Sequence, residues 1–290
     1  MTLSGGFDLY RQDVIVYEGQ SAKTEESYRS TLNRLLASFG DIEFEAITFD
    51  QIRSWKIELC KTRSDDTVRG YIVCLRRVLQ HLRVRGYDVL DYTLLRVPKR
   101  TVKVPAFLTP QEVRELLRVS FKRAQGYGRI NRYRNRAIIS LLYASGIRAS
   151  ELMALNRWDI QPDGTFTVVG KGRKARLCFI DERTRTYLQE YLLLRNDIEP
   201  ALFISPQTGK RMTKHGLKNM FDTMETKVSF RKPLHAHIFR HSFATNLLRN
   251  STNMRELQEF MGHSNLATLQ VYTHVVNEDL RATYRKKHTV

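Results

Sequence analysis

Cysteine is scarce in this chain, and the little there is forms no framework. Cys60, Cys74 and Cys178 are scattered, odd in number and without a CxxC pair. Neither a disulfide scaffold nor a cysteine zinc site is indicated, and the three read as small core residues. Long apolar runs are missing as well. No stretch approaches the roughly 18 uncharged apolar residues that a membrane helix needs, and the opening MTLSGGFDLYRQD lacks the basic-then-apolar pattern of a signal peptide. A folded protein of the cytoplasm is expected. No Walker-type glycine loop is present, which argues against nucleotide-driven chemistry. Acidic residues are in deficit, 30 against 48 Lys and Arg, for a formal net charge of +18.

That surplus asks for a polyanion, because clustered Lys and Arg release counterions when they bind a phosphate backbone. Nucleic acid is the first candidate and an anionic membrane surface the second. The surplus is uneven: residues 1–100 hold 16 Lys and Arg against 14 Asp and Glu, and residues 101–290 hold 32 against 16. The count changes at VPKRTVKVP, Val97 to Pro105, which has a proline at each end and no helical periodicity. A basic linker over 99–105 is expected there, between an N-terminal domain, 1–98, and a C-terminal domain, 106–290.

Three amphipathic patterns predict helices in the first domain, around Thr24–Phe39, Phe49–Lys61 and Asp65–Arg85. In the third, Ser64, Asp65 and Asp66 supply caps and Gly86 a stop. Its apolar face carries Tyr71, Leu75, Val78, Leu79 and Leu82. Arg69, Arg76 and Arg83 run beside that face at intervals of seven. Solvated edge and phosphate contact weigh about equally for them, and the basic linker residues Lys99, Arg100 and Lys103 tip the balance toward DNA.

The second domain opens on FLTPQEVRELL, where Thr109, Pro110 and Glu112 predict a capped helix start. In AIISLLYASGIRASELMALNRWDI, Gly146 can close one helix and Ser150 lies near the start of the next. Arg148 is thereby held in a turn between apolar helices, a poor place for mere solvent decoration. Then GTFTVVGKGRKARLCFI alternates as two strands, Phe166–Val169 and Arg176–Ile180, around a turn with Lys171 at its tip. Taken alone that turn is ordinary hydrophilic surface. The chain beyond this hairpin is mostly helical in pattern, so a mainly α domain with one small antiparallel sheet is expected.

HAHIFRHSFATNLLRN, from His235 to Asn250, crowds three histidines beside Arg240. His237 and His241 have the spacing of a zinc-binding helix, but no glutamate lies between them, and a cation beside a divalent metal is unfavourable. An anion site suits the run better, since His237 and Arg240, three apart, share a helical face and can both donate. Phe243, Leu247 and Leu248 are expected to bury the opposite side.

Downstream comes FMGHSNLATLQVYTHV, with His263 and Tyr272. GIRASEL, VVGKGRKAR, HIFRHSFATNLL, MGHSNLAT and VYTHV, in this order and at these intervals, resemble the tyrosine recombinase (phage integrase) family, nearest in size and phrasing to its Xer-type and transposon-resolvase members. The likeness spans about Phe107 to the C-terminus. The helical first domain is similar to that family's core-binding, SAM-like domain, though without an equally sharp motif. Phe239, Ala236 and Met261 depart from commoner residues at packing positions only.

What the resemblance implies is specific. Tyr272 is the nucleophile, Arg148 and Arg240 clamp the phosphate, Lys171 protonates the leaving 5′ oxygen, His237 and His263 are the catalytic histidines, and Glu151 supports the site. DNA contacts are expected from Arg69, Arg76, Arg83, Lys99, Arg100, Lys103, Arg173 and Lys174. The reaction would need no cofactor. DNA with paired inverted binding sites would take a dimer, and two such paired sites would synapse as a homotetramer, exchanging strands through a Holliday junction. A second recombinase or accessory protein can be involved. After the nucleophile, Val276, Leu280 and Tyr284 form one apolar stripe that periodicity alone lets dock on its own domain or on another, and the resemblance implies that the tail 277–290 docks on the neighbouring protomer. Work on DNA would place the protein at the nucleoid.

The residue types suit this chemistry on their own terms. A phosphodiester under attack gathers negative charge that guanidiniums hold bidentately. A phenol is a weak nucleophile and an alkoxide a poor leaving group until protons are moved, work for imidazole and ammonium. His235, His241 and His274 have no such role and read as structural or surface. A type IB topoisomerase shares the chemistry, and a noncatalytic DNA-binding regulator shares the scaffold. Size and phrasing count against the first, the complete residue set against the second.

Overall fold

The computed structural model describes residues 1–98, 105–122, 128–170, 174–250 and 252–262. The chain divides into two compact units, Met1–Thr101 and Val102–Val290.

The first unit is helical: α1 (Leu3–Tyr10) continued by a π turn, α2 (Ala22–Phe39), α3 (Phe49–Thr62) and α4 (Asp65–Val84). Three of these match the expected helices to within two residues. Helix α1 is not among the helices that the sequence pattern predicts, and Gly5 and Gly6 disfavour a helix interior. Gly6 is there for packing: an added Cβ would fall on the ring of Phe44, which is fully buried beneath it. The core gathers Leu3, Phe7, Leu35, Phe44, Ile52, Trp55, Leu75 and Leu79 among others. Helix α3 starts in a capping box between Thr48 and Gln51. Beyond α4, Gly86 takes the left-handed conformation, φ +87°, and the chain doubles back.

The arginine stripe of α4 holds the returning segment. Arg69 donates to the Pro98 carbonyl. Arg76 donates to the Leu95 carbonyl at 2.7 Å and lies 5.7 Å over the Tyr92 ring, while Arg83 approaches Asp91 at 3.9 Å.

The second unit comprises α5 (Pro110–Phe121), α6 (Arg129–Ser145), α7 (Ala149–Ala154), β1 (Thr165–Val169), β2 (Ala175–Phe179), α8 (Glu182–Leu192), α9 (Lys214–Glu225), α10 (Ala236–Arg249) and α11 (Met254–Met261). The expected capping box of α5 is present, with the Glu112 carboxylate accepting from the Thr109 N–H at 2.7 Å. Helix α6 is the central post, with Ala137, Ile138, Ile139, Leu141 and Leu142 inaccessible to solvent. The strands pair antiparallel with Phe166 opposite Cys178 and Val168 opposite Arg176. Phe166, Val168 and Cys178 are buried, so this face of the hairpin points inward. No helix of the described residues is long and apolar enough to cross a membrane.

Candidate active site

The site starts at the end of α6. Gly146 closes that helix at φ +61°, and the space where its Cβ would stand belongs to the Phe243 ring of α10. The chain turns through Ile147, fully buried, and delivers Arg148 as the residue capping α7. Glu151, three residues on, is nearly inaccessible, and its carboxylate accepts the Arg148 backbone N–H at 2.7 Å and Nη1 of the Arg148 side chain at 2.8 Å.

The other half of that carboxylate's environment comes from β2. Arg176 donates Nη1 to one Glu151 oxygen at 2.8 Å and Nη2 to the other at 2.7 Å. Burial pulls the Glu151 carboxyl pKa upward, but the bonds from Arg176 and then Arg148 outweigh it and hold it at about 2. Arg176 did not emerge from the sequence as a site residue. The strand alternation carried the signal: Arg176 shares its face with buried Cys178, and a guanidinium aimed inward requires a buried partner.

Arg240 reaches the same turn from α10. It is 4% exposed and donates Nη1 to the Gly146 carbonyl at 2.7 Å and Nη2 to the Met261 carbonyl. The ends of α6 and α11 therefore meet on one buried cation. Phe243, Leu247 and Leu248 of α10 pack with Leu257 and Met261 of α11.

The histidines separate by role. His235 caps α10, its Nδ1 accepting the Ile238 N–H at 3.1 Å. His237 is exposed, with its ring centroid 6.4 Å from that of His235. Burial first, then His237, His235 and Arg240, push His241 down to about 4, so it stays neutral at physiological pH. Among the described residues no group of three or more His, Cys, Asp or Glu could hold a metal.

Arg148, Glu151 and Arg240 thus come together, and Arg176 joins them. Lys174 is exposed just before β2. Lys99, Arg100, Lys103, Lys171, Arg173, His263, Tyr272, His274 and the tail 277–290 lie outside the described residues. The geometry does show what adjoins two of them in sequence. An atom added at Gly170, which precedes Lys171, would stand 3.6 Å from Arg148 Nη1. Gly262, which precedes His263, lies against the Arg176 side chain, whose Cδ would be 2.7 Å from an added Cβ.

The sequence pattern of the phage integrase family matches residues 106–279. The tyrosine recombinase XerC of Bacillus licheniformis is 35% identical over 97% of this chain and 95% of its own length. The tyrosine recombinase XerD of Oceanobacillus iheyensis is 32% identical over 94% of each chain. Among solved structures, the Tn1549 transposon integrase in complex with transposon right end DNA superposes with a TM-score of 0.76 at 19% identity, covering all of both chains.

Proposed function

The chain belongs to the phage integrase family and is a tyrosine recombinase, and we propose that it exchanges DNA strands at specific sites through a 3′-phosphotyrosine intermediate. The supporting observation is the convergence of Arg148 and Arg240 on one turn, with Glu151 and Arg176 buried behind them. A cationic group of this kind suits a phosphodiester whose nonbridging oxygens gain charge under attack.

In the proposed reaction the Tyr272 oxygen attacks the scissile phosphorus and gives up its proton to an imidazole, that of His237 or His263. The bond from phosphorus to the 5′ oxygen breaks, and Lys171 supplies the proton that turns this oxygen into a hydroxyl. The phosphotyrosyl ester keeps the energy of the diester, so a 5′ hydroxyl from another strand can reverse the step without a nucleotide or a metal. Residues 1–98 and 106–290 would bind DNA as two domains joined by the basic linker, with Lys174 and Arg83 among the phosphate contacts. Pairwise exchange through a Holliday junction within a synaptic tetramer is part of the same proposal, as is action on cytoplasmic, nucleoid DNA.

The test is covalent trapping. Duplexes selected from random-sequence DNA by binding to the full chain, then nicked beside the scissile position, should yield a covalent protein–DNA adduct with the native chain. Tyr272→Phe should bind them equally and yield none. An adduct from Tyr272→Phe would remove the nucleophile assignment, and none from the native chain on its selected site would favour a noncatalytic DNA-binding regulator.

A further inference from the structure

Glu151 is the junction of the cluster. Three donors on Arg148 and Arg176 surround its two oxygens, and a backbone N–H completes the set at 2.7 to 2.8 Å throughout. Arg176 cannot take hold of DNA itself in this arrangement. Its side chain is 8% exposed, and both terminal nitrogens are committed to Glu151. The arrangement acts on Arg148 in two ways.

The first is charge. A buried carboxylate paired with Arg148 alone would cancel the cation that has to face the phosphate; shared between two guanidiniums, it leaves one net positive charge. The second is geometry. A bidentate fork fixes the plane of the carboxylate, and that carboxylate orients both the backbone and the side chain of Arg148. The Arg176 side chain also fills the place beside Gly262 where a Cβ would stand, and its Nη1 would be 3.7 Å from an atom added at Gly170. One side chain therefore touches Glu151 and adjoins the glycines that precede Lys171 and His263.

We propose that Arg176 is a positioning residue for DNA cleavage, which holds Glu151 so that Arg148 stays oriented and cationic toward the scissile phosphate. This rests on the recombinase reading above. Removing the fork leaves DNA affinity nearly intact, because Arg176 makes no DNA contact, and slows the chemical step.

The experiment uses the full chain on its selected, nicked duplex, measuring DNA binding by gel shift and adduct formation in single turnover. Arg176→Met should bind within about threefold of the native chain and form adduct on the order of a hundredfold more slowly, in the range seen when one preorganised donor is lost. Adding Glu151→Gln to Arg176→Met should recover about tenfold or more of that rate, since the uncompensated carboxylate is then gone. A purely structural role predicts no such recovery. Arg176→Lys, which retains the charge without the fork and keeps the fold if Arg176→Met loses it, should still be at least about tenfold slow. Arg176→Met or Arg176→Lys cleaving at the native rate overturns the proposal, as does a double variant no faster than Arg176→Met. A native chain that forms no adduct overturns the recombinase reading first, so the two failures are distinguishable.

Discussion

The Arg240 guanidinium donates to the carbonyl oxygen of Gly146 at 2.7 Å, across 94 residues of chain. Its second terminal nitrogen donates to the Met261 carbonyl, and the side chain is buried among α6, α10 and α11. A cation at the C-terminal end of α6 also meets the negative end of that helix's dipole. Arg240 therefore supports the fold as well as the proposed phosphate site. Arg148 differs: its side chain is 28% exposed and pairs with the Glu151 carboxylate.

The two arginines should separate in a comparison of stability with catalysis. Arg240→Ala leaves two carbonyls without this buried donor, each costing about 1–3 kcal/mol, so its urea midpoint should fall by the equivalent of about 2–6 kcal/mol. Arg148→Ala should lose about 1 kcal/mol of stability. Both should slow adduct formation by on the order of 10²–10³-fold. An Arg240→Ala protein as stable as the native chain would show that the Gly146 and Met261 contacts carry no weight in folding.

Gly146 itself is constrained twice over, by φ +61° and by the Phe243 ring in its Cβ position. Gly86 shares only the first constraint, with φ +87° and nothing among the described residues within 4 Å of an added Cβ. Gly86→Ala should cost about 1 kcal/mol, the penalty of a left-handed alanine. Gly146→Ala should cost about 2–4 kcal/mol, because the ring or the turn must also move. Equal losses in thermal denaturation would mean that the Phe243 contact yields freely.

Much of this fold was legible in the sequence, for local reasons. Thr109 with Glu112, Gly146 after Ser145, and the alternation around Gly170 are signals written within a few residues, and the helices and hairpin appear where those signals lie. What stayed hidden is nonlocal. The use of Gly6 depends on Phe44, and the burial of Arg240 depends on carbonyls 94 and 21 residues away. The spacing that put His237 and Arg240 on one helical face carried no hint that one is exposed and the other 4% exposed. Arg176 lay between these cases: its strand phase was readable, but its partner Glu151 stands 25 residues earlier.

Acid should expose the cost of burying His241. Its folded pKa of about 4 lies below the ordinary value of 6.5, so the unfolded chain binds the proton first. Stability from this group is complete above about pH 6.5 and is lost as pH falls toward 4. Between pH 7 and 4.5 the native chain should therefore lose about 2 kcal/mol more than His241→Gln does, as read from urea midpoints at the two pH values. Parallel losses in both proteins would place the acid sensitivity elsewhere.

The arginines of α4 offer a last separation, between bracing a domain and binding a phosphate. Arg76 spends a donor on Leu95 at 2.7 Å and covers the Tyr92 ring, whereas Arg83, among the described residues, approaches only Asp91, at 3.9 Å, and its side chain is 46% exposed. A phosphate contact releases counterions and contributes about 0.9 to the slope of log affinity against log salt. A fold contact contributes nothing to that slope. Arg83→Ala should therefore weaken binding and lower the slope by about one contact, with stability changed by less than about 0.5 kcal/mol. Arg76→Ala should leave the slope unchanged and cost about 1–2 kcal/mol of stability, because the Leu95 carbonyl loses its donor and the Tyr92 ring its cover. Titrations at several salt concentrations, paired with denaturation, decide the matter: a slope that falls with Arg76→Ala and holds with Arg83→Ala would reverse the two assignments.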